Sequence, residues 1–390
     1  MPGRDRLASG PFASVLTAEG RGAVAVVRVW GAGAIPLADR VFRPTGKRPL
    51  SRSTMGRLRV GRVGAGAGDE VVAVVVDGKP PEAEIQCHGG SAAVALVLGA
   101  LIEGGARVRP PRAWARHSLG SSTRADAEVA LASAPTARVA KILLDQAVGA
   151  LDAELGVISK DGPDLNQLEA LIGRGRVGLR LVEGWRIVLA GRPNVGKSRL
   201  MNALAGYDRA IVDPSPGTTR DVVTAPSAFD GWPVELADTA GLRDASDPIE
   251  AEGIALARAH QRRADLVVVV LDRSEPLGEP DRIVLLDHPD ALVVANKSDL
   301  AAAWDESEVG ALPISAEVGA GLDRLSAAIA SRLVPDPPPS GSAVPFLPAH
   351  ARRLAAIRAA IEEGRIDRAN VSIARWLGEG GRGAVPDRPG

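Results

Sequence analysis

The sequence predicts an α/β domain that is inserted in a discontinuous helical domain and preceded by an α+β domain. Three observations lead to this fold class. In residues 184–335 apolar, strand-like runs alternate with turn motifs and helical patterns, which is typical of a sheet covered by helices. On both sides of that region, in residues 119–183 and 336–390, apolar residues recur at helical spacing. Residues 1–118 contain short β-branched runs separated by Gly and Pro turns.

Composition and charge narrow the class of protein. The 390 residues include 47 basic and 47 acidic side chains, so a general attraction to nucleic acid, DNA included, is not indicated. This length predicts two or three domains. No apolar run approaches the ~20 residues of a membrane span, and residues 1–10 lack the apolar stretch of a secretory signal. We therefore expect a cytoplasmic protein without a membrane partner.

Local patterns predict the elements of the N-terminal domain. Residues 24–29, 71–76 and 84–86 are expected to be strands, and residues 91–103 a helix. Cys87 is the only cysteine, so it cannot form an intrachain disulfide. We expect it to be a small buried residue of a strand.

The helical domain is predicted from apolar residues that share one face of a helix. They are Val139, Leu143, Ala147, Leu151 and Leu155 before the inserted domain, and Leu354, Ile357, Ile361, Ile366, Ile373 and Trp376 in two helices after it. The Pro-rich run 335–339 and the small residues 340–342 after it are expected to be a linker. Neither helical segment has enough apolar surface alone, so we expect the two to form one domain.

A phosphate-binding loop is predicted after the first strand of the inserted domain. Residues 186–190 form an apolar run, residues 191–198 are GRPNVGKS, and a helical pattern covers residues 199–205. In such a P-loop, Lys197 neutralises the β and γ oxygens of the phosphates and Ser198 ligates Mg²⁺. The residues expected to contact the nucleotide are Asn194, Val195, Gly196, Lys197, Ser198 and Arg199. Alone, this motif also fits an ATPase.

Two further motifs are expected around the γ-phosphate. DTAG, residues 238–241, follows an apolar strand, and GTTRD is at residues 217–221. A carboxylate at the first position of DTAG can contact Mg²⁺ through water, and a threonine of GTTRD can complete the metal shell. The residues expected at the nucleotide are Thr218, Thr219, Asp238, Thr239, Ala240 and Gly241. Leu242 stands where Ras-type GTPases have a water-orienting glutamine, so the water must be activated from elsewhere.

The motif NKSD, residues 296–299, predicts that the base is guanine. The Asp299 carboxylate can accept hydrogen bonds from the ring N–H and the exocyclic amine, an arrangement that adenine does not offer. A backbone N–H at Ser315 or Ala316 can donate to guanine O6. Only six of the 47 basic residues are lysine, so finding lysine at both motif positions by chance has a probability of roughly 2%. Asn296 and Lys297 are therefore included in the expected GTP site.

The motifs GRPNVGKS, GTTRD, DTAGLR and NKSD resemble those of the tRNA-modification GTPases called MnmE or TrmE. Residues 20–29 and 84–90 resemble the N-terminal folate-binding domain of that family. The resemblance implies a P-loop GTPase domain at 184–335, a discontinuous helical domain at 119–183 and 336–390, and a dimerising N-terminal domain at 1–118.

The resemblance also implies roles for individual residues. Asn194 would hold a potassium ion, and Glu250 would position the attacking water beside Lys197 and Thr219. Arg28 and Glu84 would contact a one-carbon tetrahydrofolate. The implied partners are a second copy of the chain, an MnmG-type flavoprotein, and tRNA whose wobble uridine is modified.

Three departures from the family leave other functions open. Family members end in a motif with a cysteine, whereas residues 383–390 contain none; the helical domain is shorter; and no lysine lies in residues 121–123, where the folate site has one. One alternative is a regulatory GTPase switch that has lost the modification chemistry. The other is a ribosome-assembly GTPase, which predicts an RNA-binding domain beside the GTPase domain.

Overall fold

The structure is a computed structural model that describes most of the chain, in two compact units. The described residues are 10–17, 22–64, 66, 68–160, 162, 164–205, 224–238 and 264–378. The first unit comprises Met1–Ser133, Gln146–Gly156 and Ile373–Gly390, and the second comprises Ala134–Asp145 and Val157–Ser372. The domain bounds expected from the sequence remain predictions.

The first unit is built on a seven-stranded sheet of order β3-β4-β5-β6-β2-β1-β7. Its strands are β1 Phe12–Val15, β2 Val24–Trp30, β3 Phe42–Pro44, β4 Arg59–Val63, β5 Asp69–Val76, β6 Glu82–His88 and β7 Arg107–Val108. All neighbouring strands are antiparallel except β1 and β7. The three strands predicted in this region are present.

Helices lie on both faces of this sheet, some against its apolar core and one against Arg28 and Trp30 on the opposite face. The helices are α1 Ala34–Val41, α2 Ser91–Glu103, α3 Pro111–Leu119 and α4 Ser122–Leu131. Alternation along β2 directs Val27 and Val29 into the core, where they meet Ile85 of β6 and Leu101 of α2. Cys87 is buried in β6, as the sequence predicted.

Two helices carry the first periodic pattern, and their residues belong to both units. They are α5 Ala137–Ala147 and α6 Ala150–Lys160. The five apolar residues predicted to share a face are all buried. The two helices are separated at Gly149, whose φ of 111° lies in the left-handed region. The buried apolar residues nevertheless continue from the first helix to the second.

The second unit contains a six-stranded sheet of order β13-β12-β11-β8-β10-β9. Its strands are β8 Trp185–Ala190, β9 Thr224–Phe229, β10 Trp232–Asp238, β11 Leu266–Asp272, β12 Leu292–Asn296 and β13 Leu312–Pro313. All neighbours are parallel except β9 and β10. Since β8 lies between β10 and β11, the strand order reverses beside its carboxyl end, where α/β proteins bind ligands.

Helices complete the second unit, and the last helix of the described chain continues into the first unit. They are α7 Leu165–Gly178, α8 Lys197–Ala205, α9 Glu279–Asp287, α10 Leu322–Leu333, α11 Pro348–Glu362 and α12 Ile366–Leu377. The two helices predicted after the linker are present. The segment between α10 and α11 has no helix or strand, but Val344 and Phe346 are buried, so its second half is packed rather than a free linker.

The first turns of α5 pack on the hairpin between β9 and β10, within the second unit. The Arg138 guanidinium lies 4.9 Å from the centre of the Trp232 ring and donates to Asp230 at 2.9 Å. The Thr136 hydroxyl donates to the carbonyl oxygen of Gly231 at 2.6 Å. A helical segment thus contacts the sheet that carries the P-loop motif. Among the described helices, none combines the length and the apolar character needed to span a bilayer.

Candidate nucleotide-binding site

The GRPNVGKS segment forms the loop between β8 and α8, at the point where the strand order reverses. Lys197 begins α8 and is buried, and its Nζ donates to the carbonyl oxygens of Gly191 at 3.0 Å and Arg192 at 2.8 Å. The loop therefore wraps around one ammonium group at the N-terminus of a helix. Both the charge and the helix end favour phosphate at this place.

The Arg192 side chain ties the P-loop to the first turn of α9. Its guanidinium donates to Glu275 at 2.6 Å and to the buried Asp281 at 3.1 Å. The hydrogen bond to Glu275 and the nearby carboxylates raise the pKa of Arg192 despite partial burial. Asp281 also accepts from the Gly278 N–H at 3.0 Å. These bonds fix the backbone whose carbonyls hold Lys197.

The Asn296 amide connects the phosphate side of the site to the base side. Asn296 ends β12 and is buried. Its Nδ2 donates to the carbonyl oxygen of Val195 at 2.8 Å, and its Oδ1 accepts from the Ala316 N–H at 3.0 Å. One side chain therefore sets the position of the P-loop relative to the loop after β13.

A cavity of about 240 Å³ lies beside this amide and contains the residues predicted to read the base. It is lined by Gly196, Arg199, Asn296, Lys297, Asp299, Leu300, Ser315, Ala316 and Glu317. Asp299 accepts a hydrogen bond from the Ser315 hydroxyl through Oδ1. The volume accommodates a purine ring, and the carboxylate supplies the acceptors that the N1–H and the amine of guanine require.

The backbone donors predicted for guanine O6 already have acceptors in this structure. The Ser315 N–H donates to the carbonyl oxygen of Ala320 at 2.9 Å, and the Ala316 N–H donates to Asn296. A bond from either group to the base requires an exchange of partners. The acceptor of the Ser315 N–H lies five residues further along the same loop, whereas that of the Ala316 N–H lies at the end of β12.

The remaining predicted nucleotide contacts divide between described and undescribed residues. Asn194 has a positive φ of 65° and is exposed, and Ser198 lies in the first turn of α8. Asp238 ends β10 and pairs in register with Leu189, so its backbone reaches the P-loop edge of the sheet. The residues outside the described part of the chain are Thr218, Thr219, Thr239, Ala240, Gly241, Leu242 and Glu250.

Two residues that sequence reasoning missed belong to this site. Asp272 ends β11 and binds the Lys297 ammonium, with 2.5 Å between Oδ2 and Nζ. Glu317 pairs with Arg199 at the rim of the cavity. The sequence contained a signal for Asp272, because this residue directly follows the apolar run 266–271. The carboxyl ends of parallel strands meet at one edge of the sheet, so a polar residue at such an end is a candidate for the site.

Within the described ranges, no group of three or more His, Cys, Asp or Glu side chains could hold a metal ion. Mg²⁺ in nucleotide sites is held by one or two protein groups, by phosphate oxygens and by water. Ser198, the Mg²⁺ ligand predicted from the sequence, lies in the first turn of α8.

The two predicted folate residues lie together in the first unit. Arg28 of β2 and Glu84 of β6 are opposite each other in register, and the guanidinium donates to Glu84 at 2.6 Å and to the buried Glu82 at 3.4 Å. Trp114 donates to Glu82 at 2.7 Å, and its ring centre is 4.6 Å from the guanidinium. No described group pairs with the buried Nε of Arg28. Two carboxylates share one guanidinium, so a further hydrogen-bond donor would stabilise them.

The fold and the site define a P-loop protein that binds guanine nucleotides. Residues 186–297 match a family model described as 50S ribosome-binding GTPase, and residues 11–116 match one described as GTP-binding protein TrmE N-terminus. The chain belongs to the MnmE family of tRNA modification GTPases and is a GTPase. These matches favour neither alternative raised by the sequence, the regulatory GTPase switch that has lost the modification chemistry or the ribosome-assembly GTPase.

Relatives from several bacteria resemble the chain along most of its length. The tRNA modification GTPase MnmE of Symbiobacterium thermophilum is 36% identical over 314 residues, which cover 70% of this chain and 69% of the relative. The protein of the same name from Heliobacterium modesticaldum is 34% identical over 319 residues, covering 70% and 68%. That of Thermus thermophilus is 34% identical over 311 residues, covering 69% and 71%.

Proposed function

We propose that this protein uses GTP hydrolysis to drive modification of the wobble uridine of tRNA. The observation that carries the proposal is that one chain combines a TrmE-type N-terminal region with a guanine-nucleotide site. In this proposal Mg²⁺ binds at Ser198 and Thr219, and the chain acts in the cytoplasm as a homodimer paired through its N-terminal domain. An MnmG-type flavoprotein is the proposed partner.

Expression of this chain in bacteria that lack MnmE is expected to restore the modified wobble uridine. Mass spectrometry of tRNA nucleosides measures the outcome. A Lys197→Ala chain is the matched control and should not restore the modification, because it lacks the phosphate-binding ammonium. Absence of modification from a chain that hydrolyses GTP normally would refute the tRNA role and leave the GTPase assignment intact.

We propose that potassium completes the catalytic site, held by Asn194 and the loop before Thr218. The support is that the Asn194 side chain is exposed on a P-loop turn next to the place expected for phosphate. A cation there neutralises charge that develops on the phosphates during hydrolysis. Glu250 is the proposed group that positions water, because Leu242 cannot.

Replacing potassium by sodium is expected to lower the GTP hydrolysis rate about tenfold or more, as loss of a stabilising charge predicts. Glu250→Ala should lower turnover by about a hundredfold or more while the Kd for GTP stays within about twofold. Phosphate release assays and nucleotide titrations measure both effects. Glu103→Ala, at an exposed position of the first unit, should match the wild type. Equal rates in both salts would end the potassium proposal.

We propose that the Arg28 and Glu84 pair contributes to binding a one-carbon tetrahydrofolate. Trp114, which covers the guanidinium, also lines a cavity of about 860 Å³, which is a size typical of cofactor sites. The negative charge beside Arg28 suits the N–H groups of a pterin ring. In residues 121–123, where the resemblance predicts a lysine, Ser121 caps α4 and donates to Asp152 at 2.7 Å.

Arg28→Ala is expected to weaken binding of 5-formyltetrahydrofolate by about tenfold or more, because a buried charge-assisted network loses its cation. Isothermal titration of the intact chain measures the Kd. Arg52→Ala removes an exposed arginine of the same unit and should leave the Kd unchanged. If the wild-type chain does not take up the folate, the site is structural only.

A further inference from the structure

Asp272, which binds the Lys297 ammonium, has no role in nucleotide binding in the proposals made so far. It ends β11 and is opposite Asn296 in the register of β11 and β12. The residue is 3% exposed, so its carboxylate is removed from solvent. A buried carboxylate is costly unless it is hydrogen-bonded and paired with a cation.

Both oxygens of this carboxylate are bonded. Oδ2 accepts from the Lys297 ammonium at 2.5 Å, and Oδ1 accepts from the N–H of Ser274 at 2.9 Å and its hydroxyl at 2.6 Å. Burial alone would raise the pKa of Asp272, but the hydrogen bonds from Lys297 and Ser274 outweigh it and lower the pKa. The group is therefore ionised at neutral pH.

Lys297 belongs to the base pocket through its stem rather than through its charge. It lines the cavity together with Asp299, and its backbone has a positive φ of 67°. Since the ammonium is bound to Asp272, the four methylene groups between the backbone and the ammonium are held in one conformation. A lysine side chain that is ordered on ligand binding loses rotamer entropy, which weakens binding. If the lysine side chain is already ordered before the nucleotide binds, binding does not incur this entropy loss.

We propose that Asp272 is a positioning residue for guanine-nucleotide binding. By holding the Lys297 ammonium, it fixes the apolar stem of the lysine as one wall of the base pocket before nucleotide arrives. The proposal rests on the nucleotide site and does not depend on the tRNA role. GDP binding by the wild-type chain, measured in parallel, tests the site itself.

Asp272→Asn is expected to raise the Kd values for GDP and for GTP about tenfold, because loss of the ion pair frees the lysine stem. The hydrolysis rate at saturating GTP should stay within about twofold, since the base wall contributes equally to the ground and transition states. Titration calorimetry with GDP measures the affinity. Asp265→Asn is the matched control, because Asp265 accepts from Arg180 and the Arg186 N–H outside the cavity and its loss should leave the Kd unchanged.

A double-mutant cycle separates positioning from general structural support. In the Lys297→Met background, adding Asp272→Asn should change the Kd by less than about twofold, because no ammonium remains to be held. It should also raise the melting temperature of the nucleotide-free chain by removing an unpaired buried charge. Equal weakening in both backgrounds would overturn the proposal, and so would an unchanged Kd for Asp272→Asn alone.

A milder variant provides a second test if Asp272→Asn does not fold. Ser274→Ala removes the hydroxyl that orients Asp272 but keeps the ion pair. We expect the Kd for GDP to rise about threefold in the wild-type background and to stay unchanged in the Lys297→Met background. The same rise in both backgrounds would contradict action through Lys297.

Discussion

Asp299→Asn is expected to lower the affinity for GTP by about a hundredfold or more and to create affinity for xanthosine triphosphate. The carboxylate offers only acceptors, which match the N1–H and the amine of guanine. Asparagine keeps one acceptor and adds an N–H₂ donor, so the guanine amine then faces a donor in a closed pocket. Xanthine has a carbonyl oxygen in place of that amine and accepts from the new donor.

Titration of the variant with GTP, ATP and xanthosine triphosphate measures this change of preference. Asp287→Asn is the matched control, because this aspartate is exposed at the C-terminal end of α9 and does not line the base cavity. Its nucleotide preference should equal that of the wild type. Retained GTP affinity in the Asp299 variant would remove this residue from base recognition.

The elements that depend on local sequence were predicted well. The helix expected at residues 91–103 is α2 with the same bounds, because an apolar run between Gly90 and Gly104 has no other strong local preference. The P-loop strand begins one residue earlier than predicted, at Trp185. These features follow from periodicity and turn residues, which act over a few positions of the chain.

The features that depend on distant segments could not be read from the sequence. The bond from Asn296 to Val195 joins residues 101 positions apart, and the bond from Lys297 to Asp272 spans 25 positions. Both depend on the order and register of parallel strands. The motifs therefore predict which residues read the base, but they do not indicate the groups that hold those residues in place.

Gly196→Ala is expected to abolish GTP binding, with a rise in Kd of about a hundredfold or more. Gly196 has φ 98°, a conformation that costs a residue with a Cβ about 1 kcal/mol or more. A Cβ there would lie 2.3 Å from Nδ2 of Asn296. The amide must then move, and it would lose its bonds to Val195 and Ala316, which connect the phosphate and base sides.

A glycine with free space around its Cα is the matched control for this substitution. Gly173 lies in α7 with nothing within 4 Å of a Cβ at that position, so Gly173→Ala should keep wild-type GTP affinity and raise the melting temperature slightly. Nucleotide titration and thermal unfolding of both variants measure the contrast. If Gly196→Ala binds GTP normally, the amide of Asn296 is not what couples the two halves of the site, and the loops must be held by other contacts.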